Sequence, residues 1–191
     1  MTGEGSEDST CILLDTCCLL NLYATGRIAD ILYALPARFA VVERVLSESL
    51  YIRRGEVTGD EDDTEPVLLQ PLVELGLLEV LQVENDDEAA SFVSFAAELD
   101  DGEAMTCALA LHRTMVVATD DRKATRLCGL LNPPLSVQTT AAMIRSWADA
   151  RQIPHESLRQ VLSDVRERAR FAPGRHDPLH AWWHAVLHSE E

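Results

Sequence analysis

Residues 11–15, CILLD, and residues 115–121, MVVATDD, decide how this chain is read. Each is a short apolar run, long enough for one strand, that stops at aspartate. Asp15 ends the first run, in CILLDTCCLLNLY, and should project from the strand tip as the chain turns into a helix. Asp120 and Asp121 end the later run, in MVVATDDRKA.

Working outward, further apolar runs lie at 39–42, 77–83 and 135–139, giving five candidate strands with 11–15 and 115–119. Helical periodicity fills the intervals at about 17–34, 44–54, 66–75, 86–99, 102–113, 121–130, 140–150, 156–170 and 178–188. Strand and helix in alternation imply parallel strands joined by right-handed crossovers. The expected fold is therefore an α/β/α sandwich around a mostly parallel five-stranded sheet. Ligands of such sheets bind at the carboxyl ends of the strands, which is where Asp15, Asp120 and Asp121 fall.

The chain has 191 residues, 47% of them hydrophobic, enough for one well-buried core. A polar, acidic segment at 1–10 is expected to be disordered, and 55–66, GEVTGDEDDTEP, reads as an acidic loop. The main domain is expected over 11–150, with a helical extension over 151–191 that packs on it or on a partner. No run of about 18 uncharged apolar residues occurs and the start has no secretion-signal pattern, so a soluble, cytoplasmic protein with no membrane contact is expected. The five cysteines, 11, 17, 18, 107 and 128, show no paired spacing and read as small buried hydrophobes.

The formal charge of -16 runs against a polyanion-binding role, since nucleic-acid binders gain affinity from basic surfaces. The charge is uneven, however. Residues 1–110 hold 23 acids and 5 bases, whereas 111–191 hold 9 acids and 11 bases. A carboxylate cluster that loads metal would also cancel negative charge locally.

Two helical acids join the strand-tip aspartates. Glu48, in VVERVLSESL, sits beside an apolar face, and Glu103 lies in the first turn of DDGEAMTCALALH, where Asp100 or Asp101 is the expected N-cap. Each strand-tip aspartate has an alternative role as a helix N-cap. Carboxylates that converge on one pocket repel one another and partly protonate unless a cation holds them together. Mg²⁺ or Mn²⁺ is the natural cation, because these hard ions take oxygen ligands and also bind substrate phosphate.

The motifs together resemble the PIN-domain nucleases. Asp15-Thr16-Cys17-Cys18-Leu19-Leu20-Asn21-Leu22 resembles that family's opening strand and turn, and Val45-Leu46-Ser47-Glu48 its second motif. Asp101-Gly102-Glu103-Ala104, followed by Ala108-Leu109-Ala110, is similar to its third, and Thr119-Asp120-Asp121-Arg122-Lys123-Ala124 to its fourth. The resemblance implies a metal site and catalytic centre of Asp15, Glu48, Glu103 and one or both of Asp120 and Asp121. It implies a divalent-metal-dependent endoribonuclease, often the toxin of a type II toxin–antitoxin pair of the VapC type. Thr16 and Thr119 would then bond the carboxylates or an attacking water, and Arg122, Lys123 and Arg126 would clamp a phosphate or else form a solvated helix face. Expected partners are RNA, a cognate antitoxin and a second copy in a homodimer.

The competing reading is a catalytically inactive PIN-like module that binds protein or RNA, which the acidic charge favours. A phosphatase would want D-x-D where Asp15 is followed by Thr16 and Cys17, and a dinucleotide enzyme would want G-x-G-x-x-G after the first strand. In the extension, 156–170 is amphipathic, and Asp177 and Pro178 are expected to open the final helix. His176, His180, His184 and His188 recur every four residues, which permits a transition-metal site or a pH-sensitive contact beside the blander docking of Trp182, Trp183, Val186 and Leu187.

Overall fold

The computed structural model describes residues 10–47, 50–54 and 63–188. Strands β1 (Cys11–Leu14), β2 (Arg38–Val42), β5 (Glu79–Leu81), β6 (Val116–Ala118) and β7 (Val137–Gln138) form one sheet in the order β5-β2-β1-β6-β7. Every pairing in it is parallel. All five are the runs expected from sequence. All four residues of β1 are buried, as a central strand covered on both faces requires.

The helices are α1 (Thr16–Ala24), α2 (Ile28–Ala34), α3 (Glu43–Ser47), α4 (Gln70–Glu74), α5 (Asp86–Ala96), α6 (Asp101–Arg113), α7 (Arg122–Leu130), α8 (Thr140–Arg151), α9 (His155–Arg168) and α10 (His180–His188). Helices α1, α2, α8, α9 and α10 pack among themselves, and α5, α6 and α7 form a second group. The sheet between them makes the α/β sandwich. Trp147 of α8 and Trp183 of α10 are among the largest fully buried side chains, so the C-terminal helices belong to the core.

Three stretches differ from the sequence expectation. The helix expected over 17–34 is broken at Thr25–Gly26, because the Thr25 hydroxyl donates to the Leu22 carbonyl at 2.5 Å and Gly26 takes φ 65°, a left-handed geometry suited to glycine. Of the helix expected over 44–54, the described part is helical through Ser47 but Tyr51–Arg53 is strand β3, whose aromatic and β-branched residues suit a strand. Its antiparallel partner β4 (Thr64–Pro66) lies where an acidic loop was expected. Residues 55–62 of that loop, and the N-terminal segment 1–9, lie outside the described residues. The final helix begins at His180, not Pro178, since Asp177 caps a turn by accepting from the Leu179 amide at 2.7 Å.

The strand order places the chemistry. From β1 the chain adds strands to one side, β2 then β5, and afterwards to the other, β6 then β7. The reversal falls between β1 and β6, where open α/β sheets leave a crevice at their carboxyl ends. Leu14 pairs with Ala118, so Asp15 and Thr119 emerge side by side at that crevice. The Asp15 amide donates to Ala118 O at 3.0 Å and the Thr119 amide to Gln138 O at 3.0 Å, carrying the ladder one residue past the strands.

Candidate active site

Asp15 is 1% exposed. It is the N-cap of α1, accepting from the Cys18 amide through Oδ1 at 2.6 Å. Its Oδ2 is buried with no hydrogen-bond partner among the described residues. An orphaned carboxylate oxygen costs free energy unless a proton or a cation meets it. Burial is the main cause that pushes the Asp15 carboxyl up to about 7, and the charges of Asp120 and Glu103 push the same way. The Thr119 hydroxyl and the Cys18 amide pull it back in part.

Asp120 is satisfied differently. Its Oδ1 accepts from the Thr140 amide at 3.0 Å, and its Oδ2 from the Asn21 side-chain amide at 2.9 Å and from the Thr140 hydroxyl. Burial still raises its carboxyl above the usual range, opposed chiefly by Thr140 and Asn21. Asp121 caps α7, its Oδ1 accepting from the Ala124 amide at 2.7 Å, and its own amide donates to the Thr119 hydroxyl at 3.0 Å. The helix-capping role open to these residues is thus filled by Asp15 and Asp121, and capping fixes where the rest of each carboxylate points.

Glu103, half-buried, comes from the first turn of α6. Asp100 is the N-cap there, accepting from the Glu103 amide at 2.9 Å, and Asp101 instead pairs with Arg44 at 3.4 Å. Desolvation, then the charges of Asp100 and Asp121, raise the Glu103 carboxyl. This helix mouth lies against the β1–α1 turn: a methyl built on Gly102 would stand in ordinary contact with the Thr16 hydroxyl, 3.6 Å away. Thr16 therefore sits at the start of α6.

The structure brings Asp15, Glu103, Asp120 and Asp121 into one mutually repelling group at the crevice. Glu48 lies outside the described residues. Among the described residues no three Asp, Glu, His or Cys side chains stand close enough to enclose an ion as placed. The buried orphan oxygen of Asp15 and the raised carboxyls around it are nevertheless what a cation would correct, and an all-oxygen donor set fits Mg²⁺ or Mn²⁺.

Of the basic residues expected to clamp phosphate, Arg122 and Arg126 line a groove of about 470 Å³ with Thr119 and Asp120. Lys123 instead donates to the Glu98 carbonyl, and Arg126 also pairs with Glu98 at 3.2 Å. Cys17 is exposed, unlike the other four cysteines, and lines a second cleft of about 630 Å³; all five are free thiols. Sequence reasoning left out the residues that complete this cleft. Arg53 enters from β3, Arg168 from the last position of α9, and Arg170 and Phe171 from the segment after it. The amphipathic pattern marked that helix as packing on something, but its target was not encoded locally.

The histidines of α10 follow one another along one face, His180 tilted against His184 at 4.3 Å and His184 stacked on His188 at 5.9 Å. His180 Nδ1 bonds Pro173 O at 2.9 Å. Trp182 lies under the Arg145 guanidinium at 5.7 Å while Trp183 and Val186 are buried, so this helix docks on its own domain.

Among families of known proteins, the model described as PIN domain matches residues 11–174. The match takes in Asp15, Asp120 and Asp121, Glu48, Glu103 and the segment through Phe171. No curated protein matches the chain.

Proposed function

Because this chain belongs to the PIN-domain family, whose fold is nuclease-like, we propose that it is a divalent-metal-dependent endoribonuclease. The observation that carries the reading is the Asp15 carboxylate, buried at the topological switch point with Oδ2 unpartnered and acidic neighbours raising its proton affinity.

Asp15, Glu103 and Asp121 are the residues we assign to the metal, with Glu48 joining them. Asp120 has both oxygens taken by Asn21 and Thr140, so we assign it to holding α1, β6 and α8 together at the site. A divalent ion held there supplies Lewis acidity, which acidifies water and offsets charge on the phosphate in the transition state. The chain's own part is to keep the carboxylates ionised and aimed, through the caps at Cys18 and Ala124 and the Thr119 hydroxyl. Arg122 and Arg126 would steady the substrate phosphate from the groove beside Asp120. Among the described residues no helix is long and apolar enough to cross a membrane.

We place the protein on the toxin branch by its motif resemblance. A small inhibitory protein encoded beside it should then co-purify with it, and the pair should assemble on a homodimer. The net charge of -16 favours one other reading, a non-catalytic binding module. Incubation of the protein with structured RNAs and Mn²⁺, Mg²⁺ or EDTA, beside Asp15→Asn, separates the two. Cleavage that needs metal and is lost in the variant supports the nuclease. Intact RNA under every metal, with no divalent ion bound by calorimetry, gives the module the lead.

A further inference from the structure

Two cavities meet at the carboxylates, and the residue between them comes from the C-terminal segment. The cleft of about 630 Å³ is lined by Asn21, Asp121, Arg170 and others, the groove of about 470 Å³ by Thr119, Arg122, Arg126 and others, and among the described residues only Asp120 and Phe171 line both. Each is the size of a small-ligand pocket. Each carries arginine, although the chain as a whole is strongly acidic.

Phe171 is held through its backbone and its ring. Its amide donates to Val165 O at 3.4 Å, and its ring stands edge-on to the fully buried Trp183, with centroids 5.8 Å apart and planes at 88°. Upstream, Arg168 pegs the segment by donating to Ala24 O at 2.8 Å, to Arg53 O at 3.3 Å and to Glu65 at 2.5 Å. Downstream, Pro173 is buried and its carbonyl meets His180. Between the pegs Arg170 takes φ 54°, a left-handed geometry that a non-glycine residue adopts at an energetic cost and that recurs at ligand-clamping positions.

We infer that Phe171 separates two consecutive nucleotides of a single RNA strand lying across Asp120, one in each cavity, with Arg170 and Arg122 as phosphate contacts on the two sides. The inference rests on the nuclease reading for the identity of the strand. Aromatic rings make sequence-tolerant platforms for unstacked bases, and a ring between two pockets that each carry arginine beside aspartate, Asp120 and Asp121 in the cleft and Asp120 and Asp177 in the groove, admits single strands and leaves paired bases outside. Because both cavities are open, the strand continues in both directions, as internal cleavage requires.

The test uses the full chain and unstructured 12-nucleotide RNAs with 2-aminopurine at successive positions, in Ca²⁺ for binding and Mn²⁺ for cleavage. We expect fluorescence quenching at two adjacent positions. In Phe171→Leu that quenching should vanish, with binding weaker by about tenfold or more, while Phe171→Tyr, which keeps the ring, should retain both. Arg170→Gln should weaken binding without erasing the quenching. In cleavage, Phe171→Leu should raise KM with little change in kcat. Wild-type quenching and affinity in Phe171→Leu would overturn the inference even if the protein cleaves RNA. The two-position signature in a protein that cleaves nothing would sustain it while the nuclease reading fails. Absence of RNA binding by the wild type would overturn both.

Discussion

The Asn21 side-chain amide donates to Oδ2 of Asp120 at 2.9 Å, tying the first helix to a strand tip 99 residues away. Thr140 completes the arrangement from α8, so three separate elements are joined through one carboxylate. Asp121, one residue on, spends Oδ1 on the Ala124 amide alone. The two neighbours should therefore fail differently. Asp121→Asn keeps a capping oxygen and should lower kcat by at least about 100-fold with a nearly unchanged melting temperature. Asp120→Asn puts an amide where Asn21 and Thr140 already donate, and should cost about 1–3 kcal/mol of stability. Thermal melting and single-turnover cleavage of both variants decide the assignment; the opposite pattern would make Asp120 the metal-facing residue.

The Asp15 carboxyl gives a signature that needs no substrate. Its ordinary value is 3.8 and burial first of all, with its acidic neighbours, pushes it up to about 7. The folded chain therefore holds this proton more tightly than the unfolded chain. Its contribution to stability is full below pH 4 and falls as pH rises to about 7. We expect the metal-free protein to melt lower at pH 8 than at pH 5, and Asp15→Asn to remove much of that slope and stabilise the metal-free protein at pH 8. Mn²⁺ competes with the proton, so its stabilising effect should grow between pH 5 and pH 8. A metal-free melting temperature that is flat over this range would contradict the burial argument.

Much of this arrangement is legible in the sequence, and what is not follows a physical rule. The five strands appear because each is an apolar run with little polar interruption, and Asp15 and Asp120 are conspicuous because charge ends such runs. The β3–β4 hairpin is not legible. Tyr51–Arg53 pairs with Thr64–Pro66 across an acidic segment, so no local periodicity announces it. The break at Thr25 is a side-chain bond to the preceding turn, which composition does not encode. Phe171 and Arg170 line the cleft through tertiary contacts, among them Arg168 to the carbonyls of Ala24 and Arg53, which span more than 100 residues.

Away from the site, Glu88 and Arg113 clamp α5 to the end of α6. Arg113 donates to Glu88 through Nε at 2.8 Å and Nη2 at 3.0 Å, and the Glu84 amide adds a bond at 2.8 Å. The Arg113 hydrogen bonds lead in bringing the Glu88 carboxyl down to about 2. The sign is opposite to that of Asp15: this stabilisation is present above the ordinary value of 4.5 and is lost as pH falls through about 2. Glu88→Ala leaves the Arg113 guanidinium with the Gln82 carbonyl at 2.7 Å and Glu84 at 3.6 Å, and should cost about 1–2 kcal/mol at pH 7. Urea titration should show it, with nuclease kinetics unchanged in the folded fraction. A loss under about 0.5 kcal/mol would mean the pair behaves as a surface ion pair.

Arg168 tests whether the C-terminal segment holds the cleft open or merely passes it. Its guanidinium reaches two backbone carbonyls and Glu65, and its side chain is 19% exposed. Arg168→Lys keeps the charge but cannot reach all three partners with one ammonium. That variant should unfold about 1–2 kcal/mol more easily, a cost set by the carbonyl bonds it loses. Because Arg168 precedes Arg170 and Phe171, loosening it should also let the segment drift across the cleft. Protease cleavage near residues 169–174 should then speed up before global unfolding does, and KM for RNA should rise. Faster unfolding with no change in local proteolysis or KM would show that Arg168 stabilises the domain without shaping the approach to the carboxylates.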